Sequence, residues 1–114
     1  MADFTRRIAT LTLPLRDNAG VQLTGVHKVL RSQLLDAYGG YTQTLVTGAW
    51  KGDDGKVYLD DSLKYEIAMT TGVNAGKKLV RIATVACASA RQECVMVQLA
   101  SGVVHFVDAK GGLR

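Results

Sequence analysis

The sequence is poor in the residues that most often signal chemistry. It holds two cysteines, two histidines and one proline in 114 residues. Cys87 and Cys94 lie seven apart, with no C-x-x-C and no histidine nearby in sequence. That spacing gives no metal signature, and a chain of this length builds a core without a disulfide. Two reduced, mostly buried thiols are expected, as in the cytoplasm. His27 and His105 are isolated and read as structural or solvated, His27 on an exposed helix face. There is no P-loop, no G-x-G-x-x-G and no H-E-x-x-H. Ser32, Ser62, Ser89 and Ser101 have no base close in sequence, so a nucleophilic triad has no support. No run approaches the roughly 18 apolar residues of a membrane helix. The stretch "MADFTRRIATLTLPL" is basic and then apolar, but it alternates like a strand and lacks a small-residue cleavage site. Lys and Arg number 14 against 10 Asp and Glu, a formal charge of +4 scattered too evenly for a nucleic-acid arm. With no repeat, no low-complexity segment and no linker, a single domain over 1–114 is expected.

Hydrophobic residues make up 47% and charged residues 21%, ordinary values for a soluble globular protein. Leu11, Leu13 and Leu15 alternate with Thr10, Thr12 and Pro14, which predicts a strand over 6–16 ending at an edge or bulge. Thr24 reads as the cap of a helix over 25–38 with an apolar stripe of Val26, Val29, Leu30, Leu34, Ala37 and Tyr38, stopped by Gly39 and Gly40. Strands over 41–51 and 56–70 flank the hairpin loop "KGDDGK". Asp53 and Asp54 fit turn chemistry, and Asp60 and Asp61 suit a bulge or a flexible loop. The four acids also allow a weak divalent-metal reading. A second helix over 75–91 places Leu79, Ile82, Ala83, Ala86 and Ala90 on one side. "ECVMVQLASGVVHFVDA" is a strand, a Ser-Gly turn and a strand.

The order is β-α-β-β-α-β plus a short final strand, the ferredoxin-like α+β arrangement: an antiparallel sheet with both helices on one face. The other face is left open. In "SLKYEIAM", Leu63, Tyr65, Ile67 and Met69 share one parity and face the helices. Glu66 has the opposite parity and belongs on the open face with Val46 and Trp50, a face that usually packs on another subunit or a ligand. Trp50 and Tyr58 flank the hairpin loop. They suit stacking on a planar ligand or a cation, and equally suit burial at an oligomer interface.

Residues 78–111, "KLVRIATVACASARQECVMVQLASGVVHFVDAKG", resemble the helix–strand–strand region of the phage-encoded S-adenosylmethionine (SAM) lyases, formerly called SAM hydrolases. The A-x-x-A-C helix, the "QECVMV" step and the short hairpin after it carry the likeness. "GGYTQTLVTGAWKGDDGKVYLDDSLKYEIAM" aligns with the family's hairpin, including a carboxylate strand like "YEIAM". The likeness spans about two thirds of the chain, and the N-terminal third matches in pattern only. It implies ferredoxin-like subunits in a PII-like homotrimer, with the ligand in a cleft between subunits. It implies SAM as substrate, methylthioadenosine and homoserine lactone as products, and no cofactor or metal. Glu66 and Tyr58 are the implied catalytic and substrate-binding residues, with Trp50 as a stacking residue. No nucleic-acid or membrane partner is implied. In a host cytoplasm, loss of the methyl donor disarms restriction systems that need it.

Three readings compete. A PII-like trimeric sensor binds an adenine nucleotide without cleaving anything, with Lys51, Lys56 or Lys64 on the phosphates. An RNA-binding module of the RRM type also presents an open sheet face, but it wants paired aromatics there, and "SGVVHFVDA" does not match its motif. A small phage protein that blocks a host enzyme uses the same face. For Glu66 alone, the plain alternative is a salt bridge with Lys64 or with Lys56 of a neighbouring copy.

Overall fold

The computed structural model describes residues 5–70 and 72–114. The part of the N-terminal strand reading that falls on residues 1–4 lies outside the described residues. The elements run β1 (Arg7–Pro14), α1 (Thr24–Tyr38), β2 (Thr42–Lys51), β3 (Val57–Met69), α2 (Val73–Ser89), β4 (Cys94–Gln98) and β5 (Val104–Asp108). The sheet order is β2-β3-β1-β4-β5, and all neighbours are antiparallel. This is the ferredoxin-like α+β order with β5 added beyond β4. Among the described residues no helix is long and apolar enough to cross a membrane.

Alternation along the strands decides the core. Ala9, Leu11 and Leu13 of β1, Tyr65, Ile67 and Met69 of β3, and Val95 and Val97 of β4 are buried under the helices. Leu30 and Leu34 of α1 and Leu79, Ile82, Ala83, Ala86 and Cys87 of α2 close over them. Pro14 ends β1 where its missing donor is harmless. Leu15 N–H donates to the Asp61 carbonyl at 2.9 Å, so the neighbouring Pro14 nitrogen points toward β4, whose pairing with β1 runs only from Thr10 to Thr12. Both cysteines are free, Cys87 buried and Cys94 half-buried.

Five local expectations need correction. Thr24 is the first helical residue and does not cap. Buried Leu23 holds the cap position, and no side chain caps the helix. The apolar stripe of α1 is narrower than its sequence suggests, because Val29 is exposed beside α2. Asp60 and Asp61 form neither bulge nor loop, since they pair in register with Gly48 and Thr47. α2 begins two residues early and stops at Ser89. Its end is set by Arg91, which adopts φ 53° and bonds the nearly buried Asp17 carboxylate at 2.7 Å.

His27 is the fifth and largest of these corrections. It is 3% exposed, inside the fold and not on a solvated helix face. Its position falls on the Leu30–Leu34 stripe at i, i+3 and i+7, so helical spacing carried the signal. Nε2 lies 2.8 Å from the Pro14 carbonyl, and Nδ1 lies 2.7 Å from the Tyr65 hydroxyl. A carbonyl only accepts, so Nε2 carries the proton and Nδ1 accepts from Tyr65 O–H. Burial, aided by Arg31, holds the imidazole below its usual 6.5, against the opposing pull of the Pro14 carbonyl. A depressed pKa means the folded chain binds fewer protons than the unfolded one. The stabilising effect is full above pH 6.5 and fades as the pH falls through the folded value. Chemical denaturation between pH 7.5 and roughly pH 5 is expected to show that loss, and His27→Gln to flatten it. An equal slope in the variant contradicts this.

Candidate functional site on the open sheet face

Cross-strand pairing builds the open face in rows. One row crosses all five strands: Thr42, Glu66, Thr10, Gln98 and Val104. The next runs Thr44, Lys64, Thr12, Met96 and Phe106. The centre is polar and its β4–β5 side apolar, with Met96, Val104 and Phe106 exposed there and Ile8 exposed on β1. Glu66 is half-buried on this face, as its parity required. Among the described residues it has no ion pair and no hydrogen bond. Lys64, two residues earlier on the same face, is unpaired as well. In the second row, next to Lys64, Thr12 Oγ1 is buried with no partner. A cation, an anion and a hydroxyl that do not satisfy one another leave bonding capacity for something that covers the face.

The hairpin projects from this platform. β1 pairs with β3 only as far as Ser62, and beyond the Leu15–Asp61 bond residues 57–60 pair with β2 alone. This arm helps to stretch the molecule to 54 × 26 × 25 Å. Leu59, Val57, Trp50 and Ala49 are exposed on it. A two-stranded ribbon with apolar groups on both faces is marginal unless something packs against it.

Trp50 and Tyr58 pair across the arm and stack, with centroids 4.6 Å apart and planes at 19°. Their polar groups are engaged within the arm. Trp50 Nε1–H donates to Asp60 Oδ2 at 2.9 Å, and Tyr58 O–H donates to Asp54 Oδ2 at 2.6 Å. Asp54 Oδ1 also accepts the Lys56 amide at 2.9 Å, which is the expected turn chemistry of that acid. Gly52 lets the ring lie close: a Cβ there would stand 2.8 Å from both Tyr58 Cε2 and Asp54 Oδ1. The Tyr58 hydrogen bond holds the Asp54 carboxyl below its usual 3.8 and lifts the phenol above 10.0. In Tyr58→Phe the Asp54 carboxyl is expected to titrate closer to 3.8, followed by carbon-13 NMR. An unmoved titration rejects the bond.

The structure therefore joins Trp50 with Tyr58 and separates both from Glu66. Tyr58 and Glu66 lie on one face of β3 but eight residues apart, about 26 Å along the strand. No small ligand spans that distance within one chain. Lys51 and Lys56 are on the arm near Asp53 and Asp54, and Lys64 is again about 26 Å from Lys56. Of the three lysines open to a nucleotide's phosphates, Lys51 and Lys56 stand on either side of the arm's loop, and Lys64 does not join them within one chain. The central strands β1 and β3 turn Thr10, Thr12, Lys64 and Glu66 to the open face. Where β1 and β3 pair, no ring is offered for RNA bases to stack on, and Tyr58 stands beyond that stretch on the arm.

No family model matches the chain, and no curated protein matches it. Among solved structures, a phage SAM lyase in complex with S-methyl-5'-thioadenosine superposes with a TM-score of 0.70, covering 96% of each chain at 14% identity. The chain has the fold of a phage SAM lyase. A phage SAM lyase in its apo state gives a TM-score of 0.68 over the same 96% of each chain, at 16% identity. The lyase fold thus extends through the N-terminal third, where the sequence matches in pattern alone. Reading the sequence set Lys64 beside Glu66, as a salt-bridge partner that the structure does not pair with it, and missed Thr12. Lys64 was visible from its shared parity with Glu66. Thr12 was not, because its burial depends on the strands either side.

Proposed function

We propose that the protein is a SAM lyase whose site lies in a cleft between copies of the chain. The observation that carries this reading is Glu66. It is a half-buried carboxylate with no partner in its own chain, on a fold shared with a SAM lyase seen with S-methyl-5'-thioadenosine. Glu66 holds the substrate, through its ammonium group or ribose hydroxyls, by charge-assisted hydrogen bonds. Tyr58 and Trp50 reach the same cleft from the arm of a second copy, because their own Glu66 is out of range.

The chemistry asks little of the protein. The sulfonium of SAM is already a leaving group. A carboxylate oxygen of the methionine part attacks the γ-carbon, and the carbon–sulfur bond breaks with its electron pair going to sulfur. The products are homoserine lactone and methylthioadenosine. No water enters and no proton moves. The negative carboxylate and positive sulfonium cancel as the ring closes, so a water-poor cleft favours the step. Holding nucleophile and carbon in line contributes several kcal/mol, up to roughly 7–11 in ideal intramolecular cases.

Incubation with SAM in oxygen-18 water tests this. Methylthioadenosine and homoserine lactone free of label at the γ-oxygen are expected. Later opening of the lactone places label in the carboxyl group only. Label on the γ-oxygen overturns the intramolecular step, and surviving SAM overturns the lyase. Sedimentation is expected to give three copies per particle, held by the open faces and arms. A monomer that turns over SAM overturns the shared cleft.

A further inference from the structure

A second concavity lies on the helix side of the sheet, apart from Glu66. It has a volume of about 550 Å³, within the size range of small-molecule sites. Met69, Val80, Leu99 and Leu113 supply its apolar wall. Lys77 and Arg81 stand over it from α2, and His105 enters from β5. Among the described residues no Asp or Glu lines it.

The charges here are unfavourable as they stand. Lys77 and Arg81 are four apart on one helix, the spacing at which like charges repel. α2 contains no acid, and Lys77 and Lys78 sit in its N-terminal half, toward the positive end of the helix dipole. Neither Lys77 nor Arg81 is paired with an acid among the described residues. Gly76 adds an independent sign. A glycine inside a helix weakens it, and packing does not demand this one. A Cβ at Gly76 would meet only Leu99 Cδ2, at an ordinary 3.8 Å. Gly76 lines the concavity and puts no side chain into it.

We propose that this groove binds an organic anion with an apolar body: a carboxylate or phosphate ester whose head is held by Lys77, Arg81 and His105 and whose chain lies on Met69, Val80, Leu99 and Leu113. An anion relieves the Lys77–Arg81 repulsion, and the apolar wall selects against bare inorganic ions. The site does not depend on the lyase reading, since Glu66 projects from the opposite face.

Calorimetric titration of the full chain with decanoate, decyl phosphate and decanol tests the proposal. Both anions are expected to saturate one site per chain, and decanol to bind at least about tenfold more weakly. The ratio of decanoate to decyl phosphate affinity identifies the preferred head group. Amide chemical shifts should move at Gly76, Leu99 and Leu113. Lys77→Glu with Arg81→Glu is expected to lower anion affinity at least about tenfold without loss of folding, because both side chains are exposed. Gly76→Leu, which replaces a poor helix former with a good one, is expected to fill the groove and abolish binding. Equal affinity for decanol and decanoate overturns the proposal. So does unchanged anion affinity in the charge-reversed variant, non-saturating uptake, or shifts confined to the open face.

Discussion

Glu66→Gln is expected to lower SAM turnover roughly 10- to 100-fold while leaving the folded chain and its assembly intact, because a hydrogen bond to an ionised group contributes about 1.5–3 kcal/mol. The substitution keeps the shape and removes the charge. Little change in stability is expected, since Glu66 makes no bond within its own chain. If Glu66 only binds substrate, the loss falls on KM. If it also holds the bent conformer in which carboxylate meets γ-carbon, the loss falls on kcat. A mixing experiment separates a shared cleft from a site within one chain. Glu66→Gln and Tyr58→Ala chains, each impaired alone, should regain activity when unfolded and refolded together. Some clefts then join an intact Glu66 to an intact Tyr58 from another copy. No regain, or full activity in Glu66→Gln, sinks the assignment. A loss that coincides with dissociation makes Glu66 an interface residue.

Leu11→Ala should cost about 2–5 kcal/mol of unfolding free energy, the range for deleting a fully buried leucine side chain. Leu11 is 0% exposed and sits between Tyr65 and Val97 in the sheet. Leu45→Ala is the informative contrast. Leu45 pairs with Leu63 and shares its helix-facing parity, yet it is 64% exposed, because the helices do not extend over that part of β2. Its replacement in the isolated chain should change stability by only about 0.5 kcal/mol. Denaturant titrations of both variants at a concentration that keeps the chain monomeric check the pair. Similar costs at the two positions contradict the burial pattern. A large cost at Leu45 only at high protein concentration indicates that assembly covers the arm.

That contrast marks the limit of what alternation reveals. Period-2 spacing put Leu63, Tyr65, Ile67 and Met69 on one face of β3 and Glu66 on the other, and the pairing register agrees. Side chains alternate on a strand whatever surrounds it, so this much is local. The stop at Gly39 is local too, because its φ of 81° suits glycine above other residues. Element order followed from turn residues and helical spacing, and the order led to the ferredoxin-like fold.

Tertiary structure decided the rest. His27 reads as polar, but Pro14 and Tyr65 are brought to its two nitrogens from 13 and 38 residues away. Asp60 and Asp61 read as loop formers, but a ten-pair ladder with β2 holds them in a strand. Trp50 and Tyr58 read as free to stack on a ligand, and the arm stacks them on each other. The sequence by itself determined which residues share a face and which elements form, because those follow from backbone geometry over a few residues. Only the tertiary structure decided which of those faces is covered, that Glu66 and Lys64 stay unpaired, and that Glu66 and Tyr58 are too far apart to act within one chain. Burial and pairing depend on groups distant in sequence, and no local spacing encodes where those groups arrive.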